Sequence, residues 1–220
     1  MSHLINQGIT ELLRVFKGPL FHTHQPEMYA SLEKWALANN QRHFADCCAW
    51  AQAHIDEVEA DFNRMCIGPY RLTVPPYESV WRGNSRVMNN RYSAAVAYSY
   101  AELGLGIHTG FREMPDFIGN ELEFMYCVGA LYFAHALEEH DEERDLLNDM
   151  FIRFWQEHLG HWVYTFLSQV QADSSCEFWR EWARVLGEGF GQHFAELSLT
   201  QHMTGMEQPL NHIQPSKDLS

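Results

Sequence analysis

Proline placement constrains this 220-residue chain more than any other feature. Eight prolines are present, yet between Glu27 and Gln208 only Pro69, Pro75, Pro76 and Pro115 occur, and three of these fall in one short stretch. Proline lacks a backbone donor and breaks helix interiors. The long proline-free stretches are therefore free to be helical, and the cluster forces a break. Val and Ile are sparse, Ala, Leu, Glu and Met are common, and alternating strand-like runs are scarce, which favours helix over sheet. The spacing predicts helices near 3–16, 26–38, 40–66, 85–103, 115–139, 141–158, 160–171 and 175–197. In the segment from Asp141, Leu146, Met150 and Phe154 recur at i, i+4 and mark a buried face. The fold class is all-α: a single bundle-like domain over 1–197, with an N-terminal helical part and a larger C-terminal part. A Pro-containing hinge loop at about 67–84 joins the two. From Ser198 the chain turns polar, and 198–220 is expected to be a mobile tail.

Charge and motif content exclude several functions. Fifteen Lys+Arg against 29 Asp+Glu give a net charge of −14. That is the wrong sign for nucleic acid and suits a basic partner. The N-terminus lacks a basic region followed by an apolar stretch, and the longest nearly apolar run, Phe124 to Leu137, is too short to span a bilayer. No stable membrane insertion is expected. Five cysteines without Cys-x-x-Cys imply neither a disulfide framework nor a zinc ribbon, and point to reduced thiols in the cytoplasm. Glu-x-x-His, His-Glu-x-x-His, the phosphate-binding loop and Gly-x-Ser-x-Gly are all absent. His158 and His161 alone make a weak metal site. Gly104-Leu-Gly106 reads as a helix stop, and Gly187, Gly189 and Gly191 as a kink or close helix packing. The expectation is no catalytic residue, no metal and no cofactor.

Two segments remain. The first runs Phe62-Asn-Arg-Met65-Cys66-Ile-Gly68 and then Pro75-Pro76-Tyr77-Glu78-Ser-Val-Trp81. Adjacent prolines stiffen an extended stretch and present Tyr77 and Trp81 at low entropic cost. The plainer alternative is that both rings pin the loop to the core. The second is Pro115-Asp116-Phe117-Ile-Gly-Asn-Glu121-Leu-Glu123-Phe-Met125. Pro115 suits a first helical position, which puts Asp116 near the positive helix end, with Asn120 and Glu123 on its face. Glu121 falls on the apolar stripe of Phe117, Phe124, Val128 and Leu131. A carboxylate there needs a partner, for example Arg64 or Arg91, or a task.

Together these segments resemble the TorD/DmsD family of redox-enzyme maturation chaperones, and His158-Leu-Gly-His-Trp162 resembles that family's His-Leu-x-x-Trp element. The resemblance covers about residues 5–195. It departs at Phe117, where the family has His, and at Met65-Cys66, where it has Leu-Phe. It implies a cytoplasmic, non-enzymatic chaperone. Its partners would be the twin-arginine leader and the apo-form of a molybdenum oxidoreductase catalytic subunit, held for molybdopterin insertion before export. Such a leader carries two arginines and then an apolar stretch, so recognition needs carboxylates beside an apolar groove. Phe62, Met65, Pro76, Tyr77, Trp81 and Phe117 are the expected groove residues, and Glu78, Asp116, Glu121 and Glu123 the expected acids. Charge reversal at Asp116 or Glu121 should then weaken capture with helix content intact. Family members include domain-swapped dimers, so monomer and swapped dimer both fit. A helical adaptor for an unrelated partner, or a metal-dependent helical-bundle enzyme, are the alternatives.

Overall fold

The computed structural model describes residues 3–68, 71–83, 88–107, 113–137, 140–195 and 197. The expected tail at 198–220 and parts of the 67–84 connection lie outside them. Helices follow the sequence pattern closely. They are α1 (Gln7–Phe16), α2 (Gly18–Phe21), α3 (Pro26–Ala38), α4 (Arg42–Ala53), α5 (Ile55–Phe62), α6 (Glu78–Arg82), α7 (Arg91–Glu102), α8 (Ile118–Leu137), α9 (Asp141–Glu157), α10 (Val163–Asp173) and α11 (Glu177–His193). A π-helical turn, Asn63–Ile67, extends α5, and a short 3-10 turn, Leu159–His161, follows α9. No strand forms among the described residues, which makes the fold all-α; the sole sheet-like feature among them is an isolated antiparallel bridge between Tyr77 and Phe117.

Local chemistry sets the helix ends. The Asn6 side chain accepts from the Ile9 backbone N–H and starts α1, and Asn90 does the same for α7 through Tyr92. Pro26 occupies the first turn of α3, where its missing donor costs nothing. Gly104 takes φ +67° just past α7, the left-handed conformation that ends helices, so the stop expected from sequence is present. The expected helix over 40–66 is divided at His54, whose φ of −132° and ψ of 41° separate α4 from α5.

One buried cluster runs from Ile5 to Phe194. Helices α3 with α4, α8 with α9 and α10 with α11 pack as neighbours in sequence, while α1 inserts between α8 and α11. Phe16 of α1 stacks on Phe44 of α4 at 5.5 Å and lies 6.1 Å from Trp182 of α11, so rings from three helices meet at the centre. Gly189 permits this: a Cβ there would stand 2.9 Å from Leu12 Cδ2. Close packing, not a kink, explains that glycine. On α9 the buried face is Leu147, Phe151, Phe154 and Trp155. Leu146, expected inside, is 69% exposed, because the apolar stripe is displaced by one residue from the expected register.

Candidate functional site

The three strings singled out in the sequence meet at one junction. Pro75–Trp81 runs alongside Pro115–Ile118. The Glu78 N–H donates to the Asp116 carbonyl at 3.0 Å and the Ile118 N–H donates to the Pro76 carbonyl at 2.9 Å, framing the Tyr77–Phe117 bridge. The Asp116 carboxylate then accepts from the Ser79 backbone N–H at 2.8 Å. Asp116 was expected on the first turn of its own helix. It instead precedes α8 and caps α6, because Phe117 is still in the bridge and α8 begins only at Ile118.

The acids of the junction point inward. Glu78, Asp116 and Glu121 are all 0% exposed. Glu78 pairs with Arg82 one turn on and with His158 Nδ1 at 3.1 Å. Arg82 in turn donates to the Glu157 carbonyl and lies 4.6 Å over the Tyr92 ring. Trp162 Nε1 donates to Glu121 at 3.1 Å. The partner of Glu121 is thus an indole, not an arginine: Arg64 is bonded to Asp61, and Arg91 to the Tyr92 hydroxyl. Burial, and next the charge of Glu78, push the Glu121 carboxyl well above the usual range, which favours its neutral form. The His-Leu-x-x-Trp element therefore supplies one partner to each of two motif carboxylates. Buried in this way, the three acids do not present the open anionic face expected from sequence. Charge reversal at Asp116 or Glu121 would place an unpaired charge in the core and disturb folding itself.

The rings are divided between core and surface. Tyr77 and Trp81 are half-buried: the Tyr77 hydroxyl donates to Glu113 at 2.7 Å and Trp81 Nε1 donates to the Pro75 carbonyl at 2.6 Å. Those bonds match the pinning alternative for both side chains. Phe117 is buried between Tyr77 and Phe21, with ring centres 6.0 and 5.8 Å away. Gly119 makes room for it, since a Cβ there would stand 2.5 Å from Phe117 Cε1. Pro76 and Met65 are buried. Phe62 is elsewhere, stacked on Trp179 at 5.1 Å, outside the junction.

On the far side of Phe21 a cleft of about 670 Å³ opens between α1–α3 and α8. Phe21, Met28, Tyr100, Ile107 and Phe124 give it apolar walls, and Arg14, Lys17 and Glu123 line its polar part. Glu123 is the one expected acid that reaches this opening; its side chain is 40% exposed and paired with Lys17. The Tyr100 hydroxyl donates to the Pro115 carbonyl at 2.7 Å, tying the cleft wall to the junction. Sequence reasoning missed this cleft, since Phe21, Met28 and Ile107 lie outside every motif string. No helix among the described residues is long and apolar enough to cross a membrane.

Comparisons with known proteins bear on the family and the fold. The family model described as nitrate reductase delta subunit matches residues 27–168. A curated relative, chaperone protein TorD of Photobacterium profundum, is 26% identical over 123 residues, 56% of this chain and 56% of its own length. The chain thus spans little more than half of that relative. A crystal structure assigned as a redox enzyme maturation protein from Archaeoglobus fulgidus superposes with a TM-score of 0.54 at 19% identity, over 82% of this chain and 91% of that one. At that identity the likeness bears on the fold alone.

Proposed function

This chain belongs to the nitrate reductase delta subunit family, the TorD/DmsD type of maturation protein, and from that premise we propose that it is a cytoplasmic chaperone for a redox-enzyme subunit. Its client would be the immature catalytic subunit of a molybdopterin-dependent oxidoreductase, recognised through a twin-arginine leader. No covalent step is involved. The leader's apolar stretch docks in the cleft walled by Phe21, Tyr100, Ile107 and Phe124, and a leader arginine replaces Lys17 as the partner of Glu123. Half-buried Tyr77 connects to the cleft wall through Phe117 and Phe21, and Trp81 fixes the Pro75 loop. Met65, Pro76, Glu78, Asp116, Phe117 and Glu121 contribute by fixing that surface rigidly, which lowers the ordering cost of binding, whereas Phe62 packs on Trp179 away from it.

The observation that carries this reading is convergence. Three strings distant in sequence are each other's hydrogen-bond partners, and the junction they form is tied to the wall of the large apolar cleft described above. Met28 in that wall lets it adjust to varied side chains. The net charge of −14 speeds capture of a cationic leader and makes capture sensitive to salt.

The test is fluorescence anisotropy with a labelled leader peptide and its Lys-Lys counterpart. Tighter binding of the Arg-Arg peptide, weakened by Phe124→Ala and by salt, is the expected result. Equal affinity for the two peptides, or binding indifferent to cleft variants that remain folded, refutes the assignment.

A further inference from the structure

Away from the junction, α4 and the start of α11 bring together an imidazole, a thiol and a carboxylate. His43 and Cys47 are one turn apart on α4 and share a face. Glu177 is the first residue of α11. The donor atoms of the three side chains all lie within 4.8 Å of one another, and His43 Nε2 stands 3.2 Å from Glu177 Oε1. Two ligands at about 2.0–2.1 Å on a tetrahedral ion are separated by roughly 3.3 Å, so that edge is already in place. From this geometry we infer that His43, Cys47 and Glu177 form a binding site for a borderline-soft divalent transition metal of the zinc class.

The donor set selects the metal. Magnesium and calcium favour oxygen ligands throughout, whereas imidazole with thiolate suits zinc and its neighbours. Three protein ligands leave a fourth position, and all three residues line a cleft of about 570 Å³ together with Asp46, Glu57 and Asp61. Asp46 and Glu57 add to the attraction for a cation, while Asp61 is already paired with Arg64. The arginine in that lining, Arg180, is turned to the Ser174 carbonyl at 2.7 Å. His43 and Glu177 are exposed and Cys47 is buried, so an ion is reached from solvent and anchored from inside. On binding, the Cys47 S–H proton leaves to solvent and a metal–sulfur bond takes its place. The inference assigns a bound ion and no reaction, and it stands independently of leader recognition.

The test uses the purified full-length chain titrated with Co²⁺ and then with Zn²⁺ as competitor. One Co²⁺ per chain with a thiolate-to-cobalt charge-transfer band, displaced by Zn²⁺, is expected. His43→Gln, at an exposed position, should lower affinity about 100-fold, at or beyond the ~10–100-fold effect of losing an outer-shell partner. Cys47→Ser should abolish the band, and Cys127→Ser should leave it intact. Absence of a band in the native chain, its persistence in Cys47→Ser, or unchanged affinity in His43→Gln overturns the site. Circular dichroism of each variant separates loss of the site from loss of the fold.

Discussion

The carboxylate of Asp116 caps α6 across a separation of 37 residues, taking the Ser79 backbone N–H at 2.8 Å. A helix as short as α6 has little stability of its own, and its start is held by a side chain from another segment. Asp116→Ala leaves that N–H buried without an acceptor and should cost about 1–3 kcal/mol, while Asp116→Asn, which keeps an acceptor oxygen, should cost less. Urea denaturation of the two variants checks the order. An Ala variant as stable as the native chain would show that the cap contributes nothing.

Glu121 makes stability depend on pH in an unusual direction. Burial, followed by the neighbouring Glu78 charge, holds its carboxyl well above the ordinary range in the folded chain. In the unfolded chain it ionises near ~4.3. Between that value and its folded one, the native state keeps a proton that the unfolded state has lost, so stability falls as pH rises through the window. Glu121→Gln keeps an acceptor for Trp162 Nε1 and places a donor beside Glu78. It should flatten this part of the curve. Thermal melts at closely spaced pH values measure it, and an undiminished slope in the variant would disprove the account.

Asp61 works in the opposite sense. Burial alone would raise its carboxyl, but hydrogen bonds from Ser174, Ser175, the Cys176 N–H and Arg64 outweigh that and lower it to about 2. These bonds fasten the end of α5 to the turn between α10 and α11. A depressed folded value means stability that is present above the unfolded value near ~3.9 and lost as pH falls through about 2. The linkage amounts to about 2–3 kcal/mol. Asp61→Asn should be less stable by about that amount at neutral pH and should lack this part of the acid limb. Equal acid profiles for variant and native chain would count against it.

What the sequence made legible, and what it hid, follows from the range of the forces involved. Proline placement and apolar spacing are local, and they located nearly every long helix. The face of α9 was harder, because apolar residues at 146, 147, 150 and 151 support two adjacent registers, and only contact with the rest of the core selects Leu147 and Phe151. The break at His54 carries no proline or glycine and gave no signal. Glu121 was recognisable as a carboxylate that needed a partner, but Trp162 arrives from 41 residues away and no spacing rule connects them. The motif strings mark residues that come together in the fold. Their inward direction depends on three-dimensional pairing that a linear pattern does not contain.

The Lys17–Glu123 pair at the cleft gives the most direct access to leader recognition. Lys17 Nζ also lies 4.9 Å over the Tyr126 ring, so its charge is held at the rim of the apolar wall. Surface pairs contribute about 0–1 kcal/mol, and although Lys17 is mostly covered, an incoming guanidinium, able to bind a carboxylate in bidentate fashion, can displace the ammonium. Lys17→Ala frees the carboxylate and should raise leader affinity by up to about fivefold at low salt, with the gain lost at high salt. Glu123→Lys puts two cations at the rim and should weaken binding by about tenfold or more, while far-ultraviolet circular dichroism stays native because both side chains are outside the core. Anisotropy titrations of the Arg-Arg leader against both variants decide it. Should Glu123→Lys bind the leader as tightly as the native chain, the arginines are received somewhere other than this cleft.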